Sequence, residues 1–119
     1  MSHFSFVVMS NPVQGHEDEY NHWYDTVHLH DVLAVEGVVS AQRFRFADID
    51  DDAPPYRYLA VYEWDTDSVE SARAALTRAR DAGLLPVSET LERSSLGAWF
   101  FEPIAPALVR TTGVEGVRG

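Results

Sequence analysis

The run Tyr56-Arg57-Tyr58-Leu59-Ala60-Val61-Tyr62-Glu63-Trp64 constrains the fold more than any other stretch. Successive side chains of a strand point to opposite faces, which puts Tyr56, Tyr58, Ala60, Tyr62 and Trp64 on one side and Arg57, Leu59, Val61 and Glu63 on the other. Both faces have apolar centres, so a sheet built on this strand needs a covering layer on each side. The rest of the chain supplies only two helical segments. They cover one face, and the second cover has to come from outside the monomer.

The first helical segment starts near His16, after Gly15, with Glu17, Asp18 and Glu19 in the first turn, where the backbone dipole favours carboxylates. Tyr20, Trp23, Tyr24, Val27, Asp31 and Ala34 recur at intervals of three and four. That spacing predicts a buried stripe centred on Tyr20, Tyr24, Val27 and Asp31, with Trp23 and His30 on one edge and His28 on the other. Beyond Val27 the pattern loosens, since Leu29, Val32 and Leu33 fall on the previously polar side, and a bend or restart is expected near His30. The negative end of a broken helix beside His28 and His30 should raise their affinity for protons.

The second segment is expected to open with Asp67 as cap and Glu70 completing a capping box, and to end at Gly83. Val69, Ala72, Leu76 and Ala79 give it a narrow apolar stripe. Strands are predicted at residues 3–10, Val38–Phe46, Tyr56–Trp64 and Leu96–Glu102. The acidic, proline-containing stretch from Ala47 to Pro55 is expected to form a solvated hairpin tip and lacks the glycine and terminal glutamate of a calcium loop. The order βαββαβ specifies an α+β, ferredoxin-like antiparallel sheet with both helices on one face. Residues 1–102 form this domain, and residues 103–119 form a C-terminal arm.

Composition removes several classes. A net charge of −10 opposes binding to a phosphate backbone, which relies on a basic surface. The chain has no cysteine, which excludes disulfides, thiolate catalysis and sulfur-based zinc sites. Met1 leads directly into Phe4-Ser5-Phe6-Val7-Val8-Met9 with no basic segment ahead of it, which reads as a strand; neither a signal peptide nor a membrane partner is expected, and the location expected is cytoplasmic.

The order, the length and the run Trp23-Tyr24-Asp25-Thr26-Val27-His28-Leu29-His30-Asp31-Val32-Leu33 followed by Gly37 resemble the dimeric α+β barrel superfamily, and within it the ethyl tert-butyl ether degradation (EthD)-like proteins. The resemblance covers residues 3 to about 102. Relatives place proline where this chain has His30, so only His28 transfers as a functional position. The resemblance implies a homodimer through the sheet face. The superfamily includes isomerases, polyketide cyclases, cofactor-free monooxygenases and haem-degrading enzymes, so fold alone does not select a reaction. The haem-degrading members carry their axial histidine on the second helix, and residues 67–82 contain none.

Geometry on the helix places Tyr24, His28 and Asp31 as neighbours, which makes His28 and Asp31 the expected catalytic pair for proton transfer. Trp23, Tyr24, Tyr58, Tyr62 and Trp99 are the expected substrate-binding residues, suited to an apolar, aromatic, polyketide or lactone-like molecule. His28 and His30 diverge by about 200° on a helix, so no metal is expected, and no cofactor. The expected activity is isomerisation, cyclisation or elimination. Its rivals are cofactor-free oxygenation of a phenol and ligand binding without turnover.

Overall fold

The structure, a computed structural model, describes residues 2–49 and 52–111. Strand β1 (Ser2–Ser10) is followed by helix α1 (Glu17–Trp23), a π-helical turn (Tyr24–His28) and helix α2 (Leu29–Leu33). Strands β2 (Val38–Arg45) and β3 (Tyr58–Thr66), helix α3 (Val69–Asp81) and strand β4 (Gly97–Phe101) complete the order. The sheet is antiparallel throughout, with strand order β2-β3-β1-β4. This is the ferredoxin-like arrangement that the element order specifies, the first helical segment counting as one unit.

Register sorts the two faces. Phe4, Phe6, Val8 and Ser10 lie opposite Trp64, Tyr62, Ala60 and Tyr58, and Phe100 joins them through its pairing with Phe6. Phe4, Ala60, Tyr62 and Trp64 are buried against Tyr20, Tyr24, Val32, Ala72 and Ala75 of the helical layer. Phe4 stacks on Trp64 at 6.2 Å, and Phe100 meets Phe6 at 4.4 Å. The other face carries Val7, Met9, Leu59, Val61, Phe44, Trp99 and Phe101 by the same register, and no helix among the described residues covers it. Phe44, Trp99 and Phe101 are exposed there.

Two expectations are corrected locally. The cap of α3 is Ser68, whose hydroxyl accepts from the Ser71 N–H at 3.0 Å, and not Asp67. A serine one residue nearer reaches the free amides, so the acid is not needed. The first helical segment also departs from a straight α-helix. A π turn holds about one residue more than an α turn, and that extra residue rotates everything after it. Val27, expected inside, is 40% exposed, and Ala34 is exposed, whereas Val32 is buried. The inward series is therefore Tyr20, Tyr24, His28 and Val32.

Between Ser10 and α1 the chain turns under the connector that precedes β4. Val13 N–H donates to the Thr90 carbonyl at 2.6 Å and Glu92 N–H to the Asn11 carbonyl at 2.9 Å. After Phe101 the described part of the arm, to Thr111, is exposed along its length and forms no strand. The remainder of the expected arm, 112–119, lies outside the described residues. No helix among the described residues is long and apolar enough to cross a membrane.

Candidate functional site

The π turn sets the site. It keeps His28 one turn below Tyr24 on the inward side, where the imidazole stacks on the Trp23 indole at 4.7 Å and meets the Tyr24 ring edge-on at 5.1 Å. Thr26 anchors the turn by donating its hydroxyl to the His22 carbonyl at 2.6 Å. Nδ1 of His28 is buried and has no hydrogen-bond partner among the described residues. Burial lowers the affinity of His28 for a proton, and Asp31 opposes this more weakly. The expected rise is thus reversed: the ring packs on aromatic surfaces that cannot solvate a charge, which outweighs the carboxylate, and α2 continues directly from the π turn so that no helix end lies at His28.

Below Tyr24 the sheet contributes a group that the sequence did not single out. Arg43 of β2 pairs with Ala60, which turns its side chain to the covered face. Its guanidinium lies 4.4 Å from the centre of the Tyr24 ring, 5.2 Å from Tyr58 and 5.3 Å from Tyr20. It donates to Asp25 Oδ1 and to Asn21 Oδ1, each at 2.8 Å. The alternation Arg43-Phe44-Arg45-Phe46 reads as a half-solvated strand with its phenylalanines inside, and the pairing does the opposite. Counting face parity from Ala60 and Tyr62 would have found it.

Four tyrosines surround this cation. Tyr20 shares a 2.6 Å hydrogen bond with Ser10, and burial raises its pKa against the opposing pull of Ser10 and Arg43. Burial pushes the Tyr24 hydroxyl up to about 12. The Tyr62 hydroxyl is raised further by burial, with Tyr24 alongside adding to it, and it has no partner within hydrogen-bond geometry among the described residues. Tyr58 donates to the Glu17 carboxylate and accepts from Asn21 Nδ2 at 3.3 Å. All four hydroxyls therefore stay protonated at neutral pH and act as donors or acceptors only.

Of the residues expected from sequence, Trp23, Tyr24 and His28 are in direct contact, and Tyr58 joins Tyr24 through Arg43 and Tyr20. Tyr62 faces Tyr24 from the sheet and packs on Phe6 at 6.3 Å. Asp31 acts on His28 at a distance and lines a separate groove between α2 and α3 with Ala34, Ala75 and Arg78. Trp99 does not join them. It pairs with Val7 and stands on the helix-free face. A second groove, of about 640 Å³, reaches Trp23 from outside, between His16 and Glu19 of the first helix and Val87 to Thr90 of the connector. No cluster of three or more histidine, aspartate or glutamate side chains able to hold a metal occurs among the described residues.

A scan against protein-family profiles and a search of curated proteins each gave no match. Solved structures do match. A candidate monooxygenase from Shewanella loihica PV-4 is 18% identical with a TM-score of 0.62, over 89% of this chain and 99% of that one. An MhuD mutant with two manganese protoporphyrin IX molecules bound per active site is 16% identical with a TM-score of 0.63, over 89% and 99%. An ethyl tert-butyl ether degradation family protein from Bacillus halodurans C-125 is 12% identical with a TM-score of 0.52, over 87% and 100%. These likenesses show a shared ferredoxin-like fold, and an ethyl tert-butyl ether degradation family protein is among the structures that share it.

Proposed function

We propose that the protein is a homodimeric small-molecule enzyme working by proton transfer, with His28 as the acid and base. The observation that carries this reading is the half-buried His28 ring, packed on Trp23 and Tyr24 with Nδ1 enclosed and unpartnered among the described residues. Buried polar atoms are normally paired, so an imidazole whose enclosed Nδ1 has no partner among the described residues favours a functional over a structural reading of the ring. Because burial favours the neutral ring, the first step is abstraction of a substrate proton. The imidazolium then returns that proton at another atom of the same molecule, which is the balance of an isomerisation or a cyclisation.

Asp31 stabilises the imidazolium through space. Trp23 and Tyr58 keep partial exposure and offer aromatic area to a substrate, backed from the core by Tyr24 and Tyr62, which suits an aromatic, polyketide or lactone-like molecule. Trp99, on the helix-free face with Phe44 and Phe101, falls in this reading to the contact between subunits. Exposed aromatic and aliphatic area of this extent on one sheet face supports pairing with a second copy. The π turn supports a functional reading too, because such turns concentrate at sites where a side chain has been re-aimed.

Cofactor-free oxygenation of a phenol is a second reading, favoured by the structural likeness to a candidate monooxygenase and by the same neutral base. In it, proton removal by His28 gives an electron-rich anion that reduces oxygen. The test is turnover of a panel of phenols, aromatic polyketides and unsaturated lactones, followed by absorbance with dissolved oxygen recorded alongside. The acid/base reading requires turnover without oxygen uptake, reduced about 100-fold or more by His28→Ala while affinity stays within a few-fold. Oxygen uptake coupled to turnover replaces it with the second reading. Binding without turnover in the unaltered protein replaces both with a ligand-binding role.

A further inference from the structure

A π turn is rare outside surroundings that hold it, and here the sheet supplies a hold. Thr26 donates within its own helix, to the His22 carbonyl. From the sheet, Arg43 Nη1 donates to Asp25 Oδ1 in the turn at 2.8 Å. The same guanidinium donates through Nη2 to Asn21 Oδ1 of α1, also at 2.8 Å. Nε of Arg43 is enclosed and has no partner among the described residues, so both anchors rest on the terminal nitrogens of one planar group.

Stacking carries the hold toward the imidazole. Arg43 lies 4.4 Å from the centre of the Tyr24 ring, and that same ring meets His28 edge-on at 5.1 Å. Tyr24 opens the π turn and His28 closes it. The arginine therefore grips the turn at its first residue by the stack and at its second by the Asp25 bond, three residues ahead of His28. No hydrogen bond joins Arg43 to His28, so whatever the cation does for the imidazole passes through the turn.

We infer that Arg43 is a positioning residue for His28: its forked guanidinium spans Asn21 and Asp25 and sets the direction in which the π turn presents the imidazole. This rests on the reading of His28 as acid and base, and adds to it the group on the sheet that aims it. The fork itself is required. Lysine carries the same charge on a single ammonium, which cannot meet both acceptors while lying flat on the tyrosine rings.

The test measures turnover on the panel above and NMR titration of the His28 ring in Arg43→Met, Arg43→Lys and Asp25→Ala. Gly37→Ala, whose crowding falls on Trp64 and Thr66, controls for lost stability alone. Positioning requires kcat to fall about 10- to 100-fold in both Arg43 variants with KM within a few-fold, the scale of a misplaced catalytic group.

The direction in which the His28 midpoint moves separates aim from charge. Losing the arginine's positive charge would by itself raise the affinity of the ring for a proton, and losing the aspartate's negative charge would lower it. A loosened turn lets the ring leave Trp23 and Tyr24, which moves the midpoint up toward 6.5 in either variant. A rise in both Arg43→Met and Asp25→Ala therefore supports positioning. Shifts of opposite sign, or a midpoint and kcat no different from those of Gly37→Ala, overturn it and leave His28 as the base. Should Arg43→Met fail to fold, Asp25→Ala alone decides, since that side chain is 59% exposed: a rise supports positioning, and a fall or no change overturns it. An unaltered protein that turns nothing over overturns the acid/base reading, while the titrations still decide whether Arg43 sets the ring.

Discussion

The His28 imidazole stacks on the Trp23 indole at 4.7 Å with the ring planes 27° apart. One face of the base is thereby removed from water, and the edge of Tyr24 closes another side at 5.1 Å. Protonation would place a charge against these surfaces, so the folded protein takes up this proton less readily than the ordinary value of 6.5 implies. The unfolded chain binds it at about that ordinary value. As pH falls from 6.5 toward the lowered value, the unfolded state therefore gains a proton that the folded state does not, and stability declines. Above 6.5 the group has no influence. Urea midpoints measured between pH 7.5 and 5 should fall with acidification in the unaltered protein more than in His28→Gln, and NMR titration of the His28 ring should give a midpoint below 6.5. Equal acid sensitivity in both proteins would show that the ring is hydrated.

Arg43 holds both α1 and the π turn to the sheet through two hydrogen bonds of 2.8 Å, to Asn21 and Asp25, while lying over three tyrosine rings. Its side chain is only 11% exposed. Arg43→Met should cost about 2 to 3 kcal/mol, the sum of lost charge-assisted bonds and cation–π contact. Arg43→Lys should recover little of this, because an ammonium cannot reach both acceptors and lie flat on the rings. Chemical denaturation of the three proteins measures the difference, and a lysine variant as stable as the original would show that charge alone matters.

The arginine illustrates what the sequence could and could not disclose. The strand order of elements, the two-faced β3 and the aromatic helix follow from period and turn residues, and each has its counterpart in the structure. Arg43 was hidden because an alternating Arg-Phe strand suggests its phenylalanines as the buried set, and only pairing with Ala60 reveals the inversion. The π turn was hidden for a different reason: Tyr24 to His28 contains no glycine or proline, and the extra residue leaves no signature in residue type. A break was expected near His30, two residues past the end of the turn, and Val27 and Val32 consequently exchanged sides.

Two glycines should respond to alanine to different degrees. Gly37 has φ +105°, and an added Cβ would lie 3.1 Å from the Trp64 ring and 3.3 Å from Thr66 Cβ. Trp64 is completely buried and cannot move aside. Gly37→Ala should cost about 2 kcal/mol or more from backbone strain and crowding together.

At Gly97 the added Cβ would come within 2.3 Å of the outer edge of the Trp99 ring, a closer clash. Trp99 is 48% exposed, however, and its ring can swing outward. Gly97→Ala should therefore cost under about 1 kcal/mol and change Trp99 fluorescence, the backbone being free of strain. Thermal melts with emission spectra separate the pair. A large loss of stability at Gly97 would mean that Trp99 is fixed in place, as it would be if a second subunit covered it.

Deleting Val27 tests whether the π turn exists to aim His28. At about 100° per residue, removing one position from Tyr24–His28 leaves Val32 seven residues after Tyr24, within about 20° of the same helical face. Val27 itself is partly exposed, so little apolar burial is lost, and α2 keeps its contacts with the sheet. Stability should fall by no more than about 1 kcal/mol, since the deletion replaces a π turn with an ordinary α turn. His28, now three residues after Tyr24, rotates about 60° away from it and leaves the Trp23 ring. The deletion variant should keep the dispersion of its NMR spectrum while its His28 midpoint returns toward 6.5 and its turnover falls as far as that of His28→Ala. Full turnover in a well-folded deletion variant would separate the turn from the chemistry and leave it as a local solution to packing.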